Sequence, residues 1–296
     1  MANIGDRYRV AFVVVFAAVV AWVLTAPFDG GAELSSSELP PQGFIYVSEA
    51  SELILSQPVG EETLIAELDD DAIVPAASSI ESIEPLGQRS AFVGFCCIPA
   101  GGRQLIVDLD SGRIEFFPLT LRFPSTSATG DVVLSGGEDV RVENLGALVA
   151  YENGVGVVAP GPLVGEAAGD EVLRPASLPM DRAALVTNGV LRIIGFEGEV
   201  LAETAGLGLE IVDYDARNDL LVTLVASETV RLLTADTLEF VDEWALRRPA
   251  RAIDVVDGWV LTSSSDGSIG AVRIDGSDDQ TLVNSGGGVA AWIPRS

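Results

Sequence analysis

The chain has no histidine and no lysine, and only two cysteines and two methionines among its 296 residues. Without histidine, the commonest general base and the commonest metal ligand are both missing, and Ser-His-Asp and Cys-His nucleophile arrangements are excluded. All 17 basic residues are arginines, whose guanidinium groups stay charged at any working pH. They face 44 acidic residues, giving a net charge of −27 and a pI near 4.1. Such a field repels phosphate backbones and anionic headgroups, so nucleic acid is not an expected partner. A basic protein, a cation or a high-salt medium is compatible with it.

One long apolar run is present. Residues 10–28, VAFVVVFAAVVAWVLTAPF, hold 19 uncharged positions. As a helix they would span about 28 Å, close to the hydrocarbon thickness of a bilayer. Arg7 and Arg9 flank one end, and Asp29, Glu33 and Glu38 the other, so the positive-inside rule places residues 1–9 in the cytoplasm and the rest of the chain outside. A cleaved signal peptide is the alternative. A cut after Ala26 would leave Leu24, which is not small, two positions earlier, and this favours a retained anchor. Removing Asp6, Arg7 and Arg9 from the totals leaves 43 acids and 15 arginines, a net charge of −28 on the outer portion. Residues 29–43, DGGAELSSSELPPQG, lack an apolar period and form a flexible linker. The expected localisation is the cell membrane, single-pass, with residues 44–296 as an extracytoplasmic domain.

That domain is written as short strands. Apolar clusters of four to seven residues, rich in Val, Ile and Leu, are closed by Gly, Asn, Asp or Pro. No long helical period recurs between them, and only brief stretches such as 77–83 suit a helix. A phrase of strand, polar turn, strand, tight turn and strand begins at Phe44, Ala91, Arg182, Asp219 and Gly258. Allowing one further unit in the ambiguous region around 131–165, the period is about 40 residues, the size of a four-stranded propeller blade. LEIVDYD at Leu209 and RAIDVVD at Arg251 are candidate extra strands. GVAAWIP, from Gly288, has no unit after it and is expected to supply the missing strand of the blade that begins at Phe44, closing a ring.

The segments LIVDLDSGRIEFF, around Asp108 to Gly112, and LLTADTLEFV, around Asp236, are similar to the Asp-x-x-Ser/Thr-Gly turn between the outer strands of propeller blades. On these residues the chain resembles the broad β-propeller superfamily, especially its WD-repeat, YVTN and quinoprotein-like groups. It has no Trp-Asp dipeptide and no Gly-His pair, so the resemblance transfers no subfamily activity. The implied fold is an all-β propeller of about six, alternatively seven, four-stranded blades, preceded by one transmembrane helix. A β-sandwich pair or irregular barrel is the competing architecture.

Three groups of residues invite chemistry. Cys96 and Cys97 are adjacent, and outside the cytoplasm they could close a strained, readily reduced vicinal disulfide; otherwise they are two small strand residues. Some quinoprotein dehydrogenases with propeller folds carry such a ring near their cofactor, and the resemblance extends only to the dipeptide. Asp108 and Asp110 are weak candidate calcium ligands, as are the acid clusters at 69–71 and at Asp275, Asp278 and Asp279; none matches an EF-hand loop, and solvated turns are the preferred explanation. The glycine-rich stretches near Gly136 and Gly286 lack the Lys-Ser/Thr pair of a phosphate loop. Arg247, Arg248 and Arg251, following Trp244, form the one basic cluster and suit an anion or partner contact, or an inter-blade linker paired with local acids.

The sequence therefore leads to a non-enzymatic expectation: a membrane-tethered propeller that binds another envelope protein or a ligand, with no cofactor predicted. The alternative is an envelope enzyme, quinoprotein-like or metal-dependent, with calcium or quinone at the propeller axis and Asp/Glu ligands.

Overall fold

The computed structural model describes residues 40, 43–57, 60–68, 80–86, 88–95, 104–117, 122–126, 132–136, 139–144, 163–166, 175–187, 189–205 and 208–293. Its strands, in chain order, are β1 (Phe44–Ser48), β2 (Glu52–Ser56), β3 (Glu62–Glu67), β4 (Ile80–Leu86), β5 (Ser90–Phe95), β6 (Gln104–Asp108), β7 (Ile114–Phe117) and β8 (Arg122–Thr126). The middle of the chain adds β9 (Val132–Gly136), β10 (Asp139–Asn144), β11 (Leu163–Glu166), β12 (Ala176–Leu178), β13 (Arg182–Thr187), β14 (Val190–Gly195) and β15 (Val200–Thr204). The last nine are β16 (Leu209–Asp215), β17 (Leu220–Val225), β18 (Thr229–Thr234), β19 (Phe240–Ala245), β20 (Ala250–Val256), β21 (Trp259–Ser264), β22 (Ile269–Arg273), β23 (Gln280–Val283) and β24 (Gly287–Trp292).

These strands form six four-stranded antiparallel sheets, five of them from consecutive strands: β4 to β7, β8 to β11, β12 to β15, β16 to β19 and β20 to β23. The sixth has the order β24-β1-β2-β3, so the last strand of the chain lies beside the first. In its register Phe44 is opposite Trp292 and Ile45 opposite Ala291. The first strands of successive sheets touch in turn, β24 to β4, β4 to β8, β8 to β12, β12 to β16, β16 to β20, and β20 back to β24. This is a closed ring of blades, the β-propeller arrangement. The segments at Leu209, Arg251 and Gly288 form the extra strands expected of them, and each is the inner strand of its blade. Residues 80–83 are not helical: they open inner strand β4, where Ile83 is buried, and 77–79 lie outside the described residues.

Radial position accounts for the residue pattern within each blade. Middle strands are packed on both faces by neighbouring blades, so they read as near-continuous apolar runs, as in LLVTLV of β17 and WVLTSS of β21. Outer strands have one neighbour; β3, β15 and β19 are mostly exposed, and β19 carries Asp242 and Glu243 on such an edge. Charges on an unpaired edge discourage strand addition from another molecule. Cross-strand pairs Arg192–Glu203 (2.6 Å) and Arg231–Glu243 (2.9 Å) repeat this outer latch in adjacent blades. Both carboxylates are about half exposed, so each pair adds little stability.

The apolar core lies between blades. Ile45, Val47 and Leu53 pack with Ile83, Val93 and Leu105, and Val222, Leu224 and Leu232 pack with Ile253, Val255 and Val260. At the closing junction, Phe44, Tyr46 and Trp292 pack with Trp259, Leu261 and Ile269. The rings of Phe44 and Trp292 meet edge to face with centroids 6.1 Å apart. Closure therefore joins the first and last strands of the ring through a hydrophobic contact as well as a strand ladder.

Among the described residues no helix is long and apolar enough to cross a membrane. The expected span at 10–28 lies outside the described residues, as do residues 1–9 and most of the linker.

Candidate functional site

Alternating strand direction gives the ring two faces. Inner strands begin on one face, and the β1–β2, β17–β18 and β21–β22 turns and the 246–249 linker are on that same face. Backbone bonds tie these parts together within blades and between them. Leu246 N–H donates to Glu228 O (2.8 Å), Ala250 N–H to Ser227 O (2.7 Å), Gly287 N–H to Gly267 O (2.8 Å), and Leu68 N–H to Ser51 O (2.8 Å). Each bond joins the turn between the second and third strands of a blade to the chain entering an inner strand or leaving an outer one.

A cavity of about 270 Å³ opens on this face where three consecutive blades meet, drawing on the start of β4 at Ile80, of β20 at Arg251 and of β24 at Gly287, Gly288 and Val289. The β1–β2 and β21–β22 turns contribute Glu49, Ser51, Ser264, Ser265 and Gly267. Glycine is required on its floor. Gly267 has φ +79°, and a Cβ there would come within 2.9 Å of Gly286 N; at Gly288 a Cβ would be 2.7 Å from Val47 O. Close backbone approach thus leaves the room above the floor to polar side chains.

Two charged groups lie over that floor. The Arg251 guanidinium is 3.7 Å, through Nη2, from the position a Gly288 Cβ would take, and Glu49 Oε1 is 3.3 Å from that of Gly267. Neither side chain makes an ion pair or hydrogen bond among the described residues. The hydroxyls of Ser51, Ser264 and Ser265 are likewise without a hydrogen-bond partner among the described residues. Ser48 is already engaged, accepting the N–H groups of Ala50 and Glu52 (3.2 Å each).

The basic cluster seen in the sequence is brought to this face and divided. Arg251 enters the cavity, whereas Arg247 and Arg248 line a much smaller groove beside it that shares Ser264. Arg247 pairs with Asp279 at 3.4 Å. The Asp266 carboxyl is held below its ordinary value by hydrogen bonds from the side chain and backbone of Ser268, with a further contribution from the Arg248 charge. Trp244, just before the cluster, donates Nε1–H to Ile274 O (3.0 Å) in the next blade. Of the three arginines, Arg247 and Arg248 meet local acids and Arg251 faces open cavity.

The aspartates considered for calcium have other engagements. Asp108 accepts the N–H and the hydroxyl of Ser111, both at 2.7 Å, and these bonds hold its carboxyl below the ordinary range. Asp110 faces Arg89 at 3.9 Å. Asp275 accepts Ser277 N–H (3.0 Å), and Asp278 pairs with Arg273 (2.9 Å). Among the described residues no three His, Cys, Asp or Glu side chains gather as a metal cluster. Cys96, Cys97 and residues 69–71 lie outside the described residues.

Reading the sequence alone missed the buried acids of the inner strands. Asp213 in β16 is 8% exposed and accepts the N–H of Val255 in β20 (2.8 Å); Asp254 in β20 accepts the N–H of Trp292 in β24. Both stand on inner strands and bond the next inner strand, so one device serves two successive junctions. The signal was an acid inside an otherwise apolar strand, IVDYD and AIDVV, which a solvated-turn interpretation does not explain.

No protein-family model matches the chain, and no curated protein matches it in sequence. Its fold is similar to that of TolB from Acinetobacter baumannii, with a TM-score of 0.63, 13% identity, and coverage of 87% of this chain and 68% of that one. A chain in the crystal structure of the mitotic checkpoint complex is similar with a TM-score of 0.52 at 12% identity, covering 80% of this chain and 77% of that one. At these identities the likeness is one of fold.

Proposed function

We propose that this chain, a member of the β-propeller superfamily, is a non-enzymatic interaction module that binds another envelope protein at the mouth of a six-bladed ring. The observation that carries this reading is the cavity across three blades with the unpaired Arg251 guanidinium in it. Arg251 is exposed in the free ring, and an arginine with open donors becomes a strong anchor for a partner's carboxylate or carbonyl groups once that partner covers it. The fold supports the reading at a coarser level, since one chain of similar fold belongs to a named protein complex. Residues 10–28 anchor the ring in the cell membrane with residues 1–9 in the cytoplasm, which the charge asymmetry around that run supports.

The test is cross-linking and affinity capture of the tagged full-length protein from its native membranes, with an intact-mass reading on the same sample. The expected result is one enriched protein partner whose recovery falls at least about tenfold with Arg251→Glu, in line with loss of a charge-assisted contact. Absence of a partner, together with added mass from a metal or quinone, would replace this reading with that of an envelope enzyme.

A further inference from the structure

We infer that the mouth cavity binds a zwitterionic group, presenting an ammonium to Glu49 and a carboxylate to Arg251; this rests on the reading of the mouth as the binding surface. Two opposite charges stand over one floor without neutralising each other. Glu49 is fixed through its backbone, N–H to Gly286 O at 2.7 Å, and its carboxylate lies above Gly267. Arg251 rises from the start of β20 with its guanidinium above Gly288. The unengaged hydroxyls of Ser51, Ser264 and Ser265 lie in the same cavity and complete its set of donors and acceptors.

The charge of the molecule selects among ligands. A simple anion approaches against a net charge of −27 and meets Glu49 on arrival. A simple cation is drawn in by that field but leaves Arg251 opposed and unpaired. A group carrying both charges is neutral to the long-range field and satisfies both side chains at once. On a partner protein this chemistry is a basic and an acidic side chain side by side, and free in solution it is an amino acid.

The experiment is calorimetric titration of the full-length protein in detergent with ω-amino acids of increasing length, from glycine through γ-aminobutyrate to ε-aminocaproate. Acetate, butyrate and butylamine serve as singly charged controls. At least one amino acid is expected to bind saturably and at least about tenfold more tightly than its singly charged counterparts, with Arg251→Gln and Glu49→Gln each weakening it by about tenfold or more and Arg251→Lys retaining part of the affinity. Unchanged melting temperatures separate these effects from misfolding. The inference is overturned if no member of the series saturates, if butyrate binds as tightly as the amino acids, or if neither Gln variant changes the affinity. Should the mouth still cross-link to a protein partner in that case, the interaction-module reading survives and only the zwitterion assignment falls.

Discussion

The carboxylate of Asp213 accepts the backbone N–H of Val255 at 2.8 Å, across the boundary between two blades and 42 residues apart in the chain. An inner strand has no ladder partner on its axial side, so its amides must find other acceptors or water. A buried aspartate that reaches the next inner strand meets this need and sets the spacing of the blades. Asp254 repeats the contact with Trp292 N–H at the following junction, which is the closing one.

Asp213→Ala is therefore expected to lower stability by roughly 1–3 kcal/mol, because it strands a buried N–H as well as removing a bond. Chemical denaturation of the variant checks this. A change within experimental error would show that the Asp213 bond adds nothing to the junction.

Trp292→Ala is expected to cost about 3–5 kcal/mol, the range for truncating a large buried aromatic. The side chain is 2% exposed and meets Phe44 edge to face, so its loss weakens both the core and the contact between strands β24 and β1. Limited proteolysis should then cut first near the ends of the domain, at β24 and β1.

Gly112 has φ +70° in the β6–β7 turn, and a Cβ there would collide with the carbonyl oxygen of Ile65 in the neighbouring blade. Gly112→Ala is expected to destabilise by about 1–3 kcal/mol through the left-handed backbone and that collision. In the equivalent turn Leu238 holds φ +59° and is buried, so Leu238→Gly should relieve backbone strain yet lose core packing. Thermal melting of both variants distinguishes the two positions, and Gly112→Ala is expected to be the one whose effect is wholly backbone.

Tyr214 is pushed from its ordinary 10.0 up to about 12, first by burial and then by its hydrogen bond to Asp219. A phenol harder to ionise when folded contributes stability that is full below pH 10.0 and is lost as pH rises toward about 12. Spectroscopic titration of Asp219→Asn should find Tyr214 ionising at lower pH than in the parent, with burial still holding it above 10.0. On the acid side the signs reverse. Asp108, Asp266 and Asp275 are lowered from 3.8 by serine hydrogen bonds, so their contributions are present above that value and vanish as pH falls through the lower folded values. Ser111→Ala should move the Asp108 titration back toward 3.8, readable by NMR.

The strand grammar exposed most of the ring. LEIVDYD and RAIDVVD are inner strands, and GVAAWIP closes the ring beside Phe44, where its Ala290 and Trp292 pack with Trp259 and Leu261 of the preceding blade. The stretch 77–83 misled because a short segment alternating small and polar residues fits either period, and only packing against neighbouring inner strands makes 80–83 extended. The site was harder to see. Arg251 is conspicuous in the sequence, but its separation from Arg247 and Arg248 depends on the turn into β20, and Glu49 lies some 200 positions away among 44 acids. No local pattern marks an acid that topology alone brings across from a lone arginine.

The central claim is that the mouth around Arg251 is the surface that meets a protein partner. The most direct measurement is site-specific photo-cross-linking in native membranes, with the photoreactive residue at Ser265, exposed in the cavity beside an intact Arg251, in one full-length variant and at Met180, 77% exposed on the opposite face, in another. The account predicts a discrete protein adduct from position 265 and none from position 180. Adducts from position 180 alone, or from neither, would contradict it.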